Sequence, residues 1–207
     1  MIYIHFGYNH IVLNRSITKR SFLFNLPNIL AFTRLLIAPV MFWVILTPEL
    51  FTDQGYHISW SYYTAALLFV LASVTDFFDG YIARELDQIT IVGQILDPLA
   101  DKMLTLAAFL GLMLMNPEVS AWAIYIILGR ELFITSLRTL SVSIGIDVSA
   151  SFLGKVKTVV QMIAIGFLLM HWHSGVSVLW MAVAVTVYSG GEYLVAFAKA
   201  YQKRKIQ

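Results

Sequence analysis

Residues 60–115 read WSYYTAALLFVLASVTDFFDGYIARELDQITIVGQILDPLADKMLTLAAFLGLMLM. Two apolar runs, about 60–84 and about 92–115, are joined by a short polar turn. Each is at least the roughly 20 residues that a helix needs to cross a bilayer. The runs are continuous, whereas the strands of a membrane barrel alternate apolar and polar residues over about ten positions. Four more runs flank them, at about 26–47, 119–142, 153–172 and 175–200. Breakers separate the runs: Pro48, Asp53 and Gly55, then Asn116-Pro117, then Gly145, then His173-Ser174-Gly175. Pro27 opens the first run, where proline is tolerated in a first turn. The expected fold is all-α, a polytopic integral membrane protein with six transmembrane helices.

Composition agrees. Of 207 residues, 59% are hydrophobic and only 13% are charged, with a mean hydropathy of +0.76. Soluble domains have about 45–50% apolar and about 25% charged residues. These values speak against a water-soluble enzyme, a disordered chain or a nucleic-acid-binding domain. The chain has no cysteine, which excludes disulfides and thiolate chemistry. No repeat and no second domain is evident.

The basic residues orient the helices. Arg15, Lys19 and Arg20 precede the first run, Arg84 precedes the 85–91 turn, and Arg138, Lys155 and Lys157 flank the 143–152 link. Lys199, Lys203, Arg204 and Lys205 end the chain. The alternate connections, 48–59, 116–120 and 171–175, carry no Lys or Arg. By the positive-inside rule both termini are expected in the cytoplasm. Residues 1–22 read as an N-terminal extension without the apolar core or cleavage site of a signal peptide. Two readings stay open for it: a segment lying on the membrane surface through Ile2, Tyr3, Ile4 and Phe6, or a loose extension. Residues 23–207 form the membrane domain.

A carboxylate inside a membrane segment costs about 2.5–3.5 kcal/mol even on the lenient insertion scale. This chain places Asp76 and Asp79 near the end of the second run and Asp97 and Asp101 near the start of the third. At about 100° per residue, Asp76, Asp79, Gly80 and Ala83 share an arc of about 100°, and Gly93, Asp97 and Asp101 an arc of about 80°. Two antiparallel helices can turn these stripes toward each other. Four carboxylates at one point repel unless cations neutralise them. Oxygen donors without His or Cys suit Mg²⁺, Mn²⁺ or Ca²⁺, and four charges match two divalent ions. A pair of metals is the usual clamp for displacement at phosphorus. Neutralisation by Arg84, Lys102 and Arg34 without metal, in a packing or ion-pathway role, is the alternative. Gly80, Ala83 and Gly93 clear room for a bulky ligand beside the carboxylates.

The stretch Asp76-x-x-Asp79-Gly80-x-x-Ala83-Arg84, then eight residues, then Gly93-x-x-x-Asp97-x-x-x-Asp101, resembles the signature of the CDP-alcohol phosphatidyltransferase family. Within it, Phe24-Asn25-Leu26-Pro27-Asn28 leading to Thr33-Arg34 is similar to the members that make phosphatidylglycerophosphate. So are Asp97-Pro98-Leu99-Ala100-Asp101-Lys102, Gly129-Arg130-Glu131 with Ser136-Leu137-Arg138, and Gly154-Lys155-Val156-Lys157-Thr158 with Gln161. Three features depart from that pattern: residues 1–22, Gly129 where Ala is commoner, and Thr139 where Glu is frequent.

The resemblance implies a six-helix enzyme of the cell (cytoplasmic) membrane, usually a homodimer, with its site facing the cytoplasm. Such an enzyme moves the phosphatidyl group of CDP-diacylglycerol to an alcohol, here sn-glycerol 3-phosphate, and releases CMP with the help of two Mg²⁺ or Mn²⁺ ions. It assigns Asp76, Asp79, Asp97 and Asp101 to the metals, with Asp101 also as general base. Thr75, Asp79, Gly80, Ala83, Arg84 and Gly93 are expected around CDP-diacylglycerol. Arg130 and Arg138, about 80° apart on one helix, are expected to hold the acceptor phosphate with Lys155 and Lys157. Arg34 and Gln161 are further candidates. The bland readings are ion pairing for the arginines, with Glu131 or Glu192, and membrane anchoring for the lysines.

The same chemistry on inositol phosphate, serine or phosphatidylglycerol is one rival reading. A transporter with an acidic coupling site is another, although neither the broken midplane helices nor the repeated halves common in transporters are seen. His171-x-His173 reads as an interfacial turn, and Trp60, Tyr62, Trp122, Tyr125 and Trp172 as aromatic belts.

Overall fold

The computed structural model describes residues 26–85, 91–146 and 152–206, with the side chains of 26–27, 76–85, 91–95, 97 and 205–206 outside the description. Among the described residues every regular element is an α-helix: α1 (Leu26–Leu46), α2 (Glu49–Thr52), α3 (Ser59–Glu85), α4 (Ile91–Met115), α5 (Ala121–Ser143), α6 (Phe152–Leu169) and α7 (Gly175–Ile206). The six expected runs are the six long helices. Four of them, α1, α4, α6 and α7, are long and apolar enough to cross a membrane, and the apolar part of α3 spans Ser59–Thr75. The protein is therefore a helical membrane protein.

Three boundaries differ from expectation. The 48–59 connection contains the single turn α2, which Pro48 starts with its ring-fixed φ of −62° and Glu49 favours with an acid in the first turn. The fifth run was expected to reach 172, but α6 stops at Leu169 because His171 takes φ = 52°, which a helix cannot continue through. The His171 ring sits 4.0 Å from that of Tyr62, an arrangement that suits an interfacial turn. Burial lowers the His171 pKa below the ordinary histidine value, with Glu118 partly opposing. The last run was expected to end near 200, but α7 continues to Ile206 because residues 192–206 contain neither Gly nor Pro. The stop after α5 is as expected: Gly145 takes φ = 66°, and the Ile146 amide bonds back to the Ser141 carbonyl at 2.8 Å.

The core is built from small residues that let backbones approach. Ala31, Ala38, Ala65, Ala72, Ala108, Ala123, Ala164 and Ala182 are buried, with Met41, Phe69, Phe109 and Ile165 filling the space between them. In lipid, apolar surface alone does not drive helices together, so close van der Waals packing carries the association. The outward residues are apolar too: Phe32, Leu36, Leu67, Leu132, Phe133 and Val187 are more than half exposed. That inside-and-outside hydrophobicity marks a helix bundle solvated by lipid. Helix α1 packs chiefly on α4 and α3, α6 on α7, and α5 on α7. The helices run alternately up and down. The ends of α1, α3, α4 and α6 that lack basic residues meet around Pro48, Tyr62, Asn116 and His171. Lys102 of α4, Arg138 of α5 and Lys155 of α6 meet at the opposite side of the bundle.

Gly111 of α4 packs closely against Ile45 of α1. A β-carbon there would lie 3.0 Å from Ile45 Cγ2 and 3.2 Å from its Cδ1. Gly111→Leu should therefore destabilise the fold by about 1–3 kcal/mol through overpacking. The same change at Gly166, where nothing lies within 4 Å, should stay within about 0.5 kcal/mol. Equal unfolding temperatures for the two variants in one detergent would contradict this packing.

Candidate active site

Five helices contribute to one cavity of about 490 Å³, a size ordinary for a small-molecule site. Helix α3 supplies Ser73, α4 supplies Asp101 and Lys102, and α5 supplies Arg130, Glu131 and Arg138. Helix α6 adds Lys155 and Lys157, and α7 adds Ser189 and Tyr193. Asp101 and the four cations read from the sequence as acceptor ligands thus line a single space. Five cations face two carboxylates among the described lining residues, so the cavity suits an anion.

The charges are not equivalent. Lys157 is buried and forms an ion pair and hydrogen bond with Glu131 across the α5–α6 interface. Arg130 is held from two sides. Its Nη1 lies 3.5 Å from Glu131 Oε1, and its Nη2 donates to Ser189 Oγ at 2.9 Å. Its stem lies flat on α7 because residue 190 is glycine: a β-carbon there would stand 3.2 Å from both Cγ and Nε of Arg130. Arg130 Nε is buried with no hydrogen-bond partner among the described residues. The Arg138 guanidinium lies 5.7 Å from the centroid of the Tyr193 ring, within cation–π range. Lys155 is exposed at the rim. Asp101 is partly buried and feels the charges of Lys102, Lys157, Glu131 and Arg34.

The helical arithmetic explains this convergence. Arg130 and Arg138 were expected on one face of their helix, and both reach the cavity. Lys155 and Lys157 point about 200° apart, yet both line it, one from the rim and one from the interior. A long lysine stem makes that possible.

Other candidates are placed elsewhere. Arg34 is 1% exposed within α1, and its charge acts on Asp101 from outside the cavity lining. The Thr75 hydroxyl turns back onto the Leu71 carbonyl. Gln161 is buried and donates to Thr186 Oγ1 at 2.8 Å, tying α6 to α7 rather than lining the cavity. Glu192 is exposed and makes no ion pair among the described residues. Asp76, Asp79, Gly80, Ala83, Arg84, Gly93 and Asp97 lie outside the described side chains; their backbone is in the final turns of α3 and the first turns of α4. Asp101 is thus the one described member of the four carboxylates, and among the described residues no three His, Asp or Glu side chains cluster to hold a metal.

Sequence reasoning missed Ser73, Ser189 and Tyr193. A hydroxyl in an apolar helix carries no periodic signal, and only its neighbours in space single it out. Glu131 was read as a partner for an arginine, whereas its shorter contact is to Lys157, 26 residues along the chain.

Residues 24–188 match the family profile of CDP-alcohol phosphatidyltransferases. The chain is 36% identical over 197 residues to the CDP-diacylglycerol–glycerol-3-phosphate 3-phosphatidyltransferase of Bacillus subtilis (strain 168), covering 88% of this chain and 98% of the relative. It is 34% identical over 184 residues to the protein of the same name in Escherichia coli (strain K12), covering 84% and 94% respectively. A family match over most of the chain, the signature Asp76 to Asp101 and a cavity that joins its last aspartate to a basic pocket lead to one conclusion: this chain belongs to the CDP-alcohol phosphatidyltransferase family.

Proposed function

We propose that the protein transfers the phosphatidyl group of CDP-diacylglycerol to sn-glycerol 3-phosphate, releasing CMP and phosphatidylglycerophosphate. The observation that carries the choice of acceptor is the cavity in which Asp101 stands among Arg130, Arg138 and Lys155. Transfer to a hydroxyl needs a base and a means of stabilising the diphosphate; it does not itself need that group of cations. A dianionic phosphate on the acceptor explains them, since charge-assisted bonds are roughly twice as strong as neutral ones and arginine grips phosphate bidentately. The two relatives carry in their names the same donor and acceptor.

In this reading the acceptor phosphate sits between Arg138, Arg130 and Lys155, which directs its terminal hydroxyl toward Asp101. The carboxylate of Asp101 takes the hydroxyl proton as the oxygen attacks the β-phosphorus of the donor. The bond from that phosphorus to the CMP oxygen breaks, and CMP leaves. Asp76, Asp79, Asp97 and Asp101 are hard oxygen donors without a competing His or Cys, a set that fits two Mg²⁺ or Mn²⁺ ions. Such ions, when bound, neutralise the diphosphate and stabilise the attacking and leaving oxygens. Gly80, Ala83, Arg84 and Gly93 are the proposed surroundings of the donor. Lys157 is spent on Glu131, so its part is to hold that carboxylate away from the acceptor's phosphate.

The topology completes the proposal: six membrane spans, both termini on the cytoplasmic side, and a site open to the cytoplasm of the cell membrane, with a homodimer as the assembly. It is supported by the separation of the two bundle ends, one carrying Lys155, Lys199 and Lys203 and the other carrying Glu49, Asp53 and Glu118 without Lys or Arg.

Two outcomes follow. Arg138→Ala should raise the KM for glycerol 3-phosphate roughly 10- to 100-fold, the loss expected of a hydrogen bond to a charged group, and leave the KM for CDP-diacylglycerol near normal. Asp101→Asn should lower kcat by about 10²–10⁴ or more. Equal effects of Arg138→Ala on donor and acceptor would remove the acceptor site. Because the chain has no cysteine, Asp87→Cys gives a single label site; a membrane-impermeant maleimide should reach it only from the cytoplasmic side, and labelling from outside would invert the topology.

A further inference from the structure

Ser73 and Tyr193 have no part in the chemistry described so far, yet both line the cavity with Asp101 and Arg138. Among the described residues their hydroxyl oxygens are buried with no hydrogen-bond partner, and Nε of Arg130, which lines the same cavity, is in the same state. A buried polar group left unmade carries its full desolvation penalty. Three such groups around one cavity point to a polar occupant with several bonding atoms.

Ser73 is the more telling of the two hydroxyls. Helical Ser and Thr residues normally satisfy themselves on the carbonyl one turn back. In this bundle Thr33, Thr64, Thr75, Ser136, Ser141 and Thr158 all do so. The Ser73 hydroxyl makes no such bond, although the same option is open to it. It stands one helical turn before Asp76 on α3 and lines the cavity from that helix. Tyr193 lines the cavity from α7. It is 5% exposed, and its ring lies against the Arg138 guanidinium.

We propose that Ser73 and Tyr193 are acceptor-recognition residues: Ser73 Oγ pairs with the hydroxyl of the acceptor that does not react, and Tyr193 Oη donates to its phosphate beside Arg138. This rests on the glycerol 3-phosphate reading above and extends it to selectivity. Glycerol 3-phosphate presents a terminal hydroxyl for transfer and a central hydroxyl next to it. A site built to bond that central hydroxyl rejects an analogue lacking it, because the site's own donor is then left buried and unpaired. The cations alone cannot make that distinction, since they see only the phosphate.

The test uses the purified full chain with CDP-diacylglycerol and two acceptors, glycerol 3-phosphate and 3-hydroxypropyl phosphate, which has the same length and charge but no central hydroxyl. The wild type should prefer glycerol 3-phosphate in kcat/KM by at least about tenfold, one buried hydrogen bond's worth. Ser73→Ala should cut that preference about tenfold, and Ser73→Cys, a near-isostere with a weaker donor, reads the same ratio where Ser73→Ala does not accumulate. Tyr193→Phe keeps the ring under Arg138 and should raise the KM of both acceptors about tenfold without changing the preference. A preference that survives Ser73→Ala, or a Tyr193→Phe enzyme with unchanged acceptor KM, overturns the corresponding assignment. A loss of rate that is equal for both acceptors in Ser73→Ala marks a structural role and overturns it too. A wild type that transfers to neither acceptor overturns the underlying reaction and this inference with it.

Discussion

Lys157 of α6 meets Glu131 of α5 inside a bundle whose outer surface is apolar, and the site's charge balance depends on that contact. Charges at membrane depth are costly, and a buried cation without a partner is far more so than a paired one. Phe152 begins α6, so at about 1.5 Å per residue Lys157 lies roughly 8 Å into the helix. Glu131 neutralises it there and also stands 3.5 Å from Arg130. One glutamate thus fixes two cations from two helices. The pair lines the cavity and leaves Arg138 and Lys155 unpaired by carboxylates among the described residues.

Electrostatics and packing support each other at Arg130. A guanidinium could sweep through many rotamers, but Ser189 bonds one edge and the bare backbone at Gly190 receives the stem. The side chain is therefore presented to the cavity in one pose, with a donor to spare. Preorganised cations of this kind lower the ordering penalty of binding a small anion. Separation also matters. Asp101 and the cations of α5 and α6 line one cavity, so in the proposed reaction a basic pocket holds the anion while a carboxylate in the same space accepts the proton.

The fold was largely legible from hydropathy, because a membrane span imposes a long continuous run that few other structures share. The exceptions have local causes: the left-handed His171 that ends α6 early, the proline-started turn α2, and the breaker-free tail that lets α7 run on to Ile206. The charged members of the cavity were legible as well, since expensive residues in an apolar helix stand out and 3.6-residue geometry puts Arg130 and Arg138 on one face. Pairing across the bundle was not. Lys157 and Glu131 are joined only in space, Gln161 turned out to hold Thr186, and Thr75 bonds its own helix. Ser73 and Tyr193 look in sequence like any other helical hydroxyl. What sequence reads poorly here is the partner of a neutral polar group, because that depends on which helices touch.

The central claim is that this cavity takes a phosphorylated alcohol as acceptor of the phosphatidyl group. The most direct measurement is product identification by mass spectrometry after incubating the purified protein with CDP-diacylglycerol, Mg²⁺ and an equimolar mixture of glycerol 3-phosphate, inositol phosphate, serine and glycerol. The account predicts phosphatidylglycerophosphate as the dominant lipid product, with CMP released in equal amount. Dominant phosphatidylserine or phosphatidylglycerol formed directly from the uncharged or zwitterionic acceptors would contradict it, and dominant phosphatidylinositol phosphate would keep the phosphate pocket but refute the acceptor.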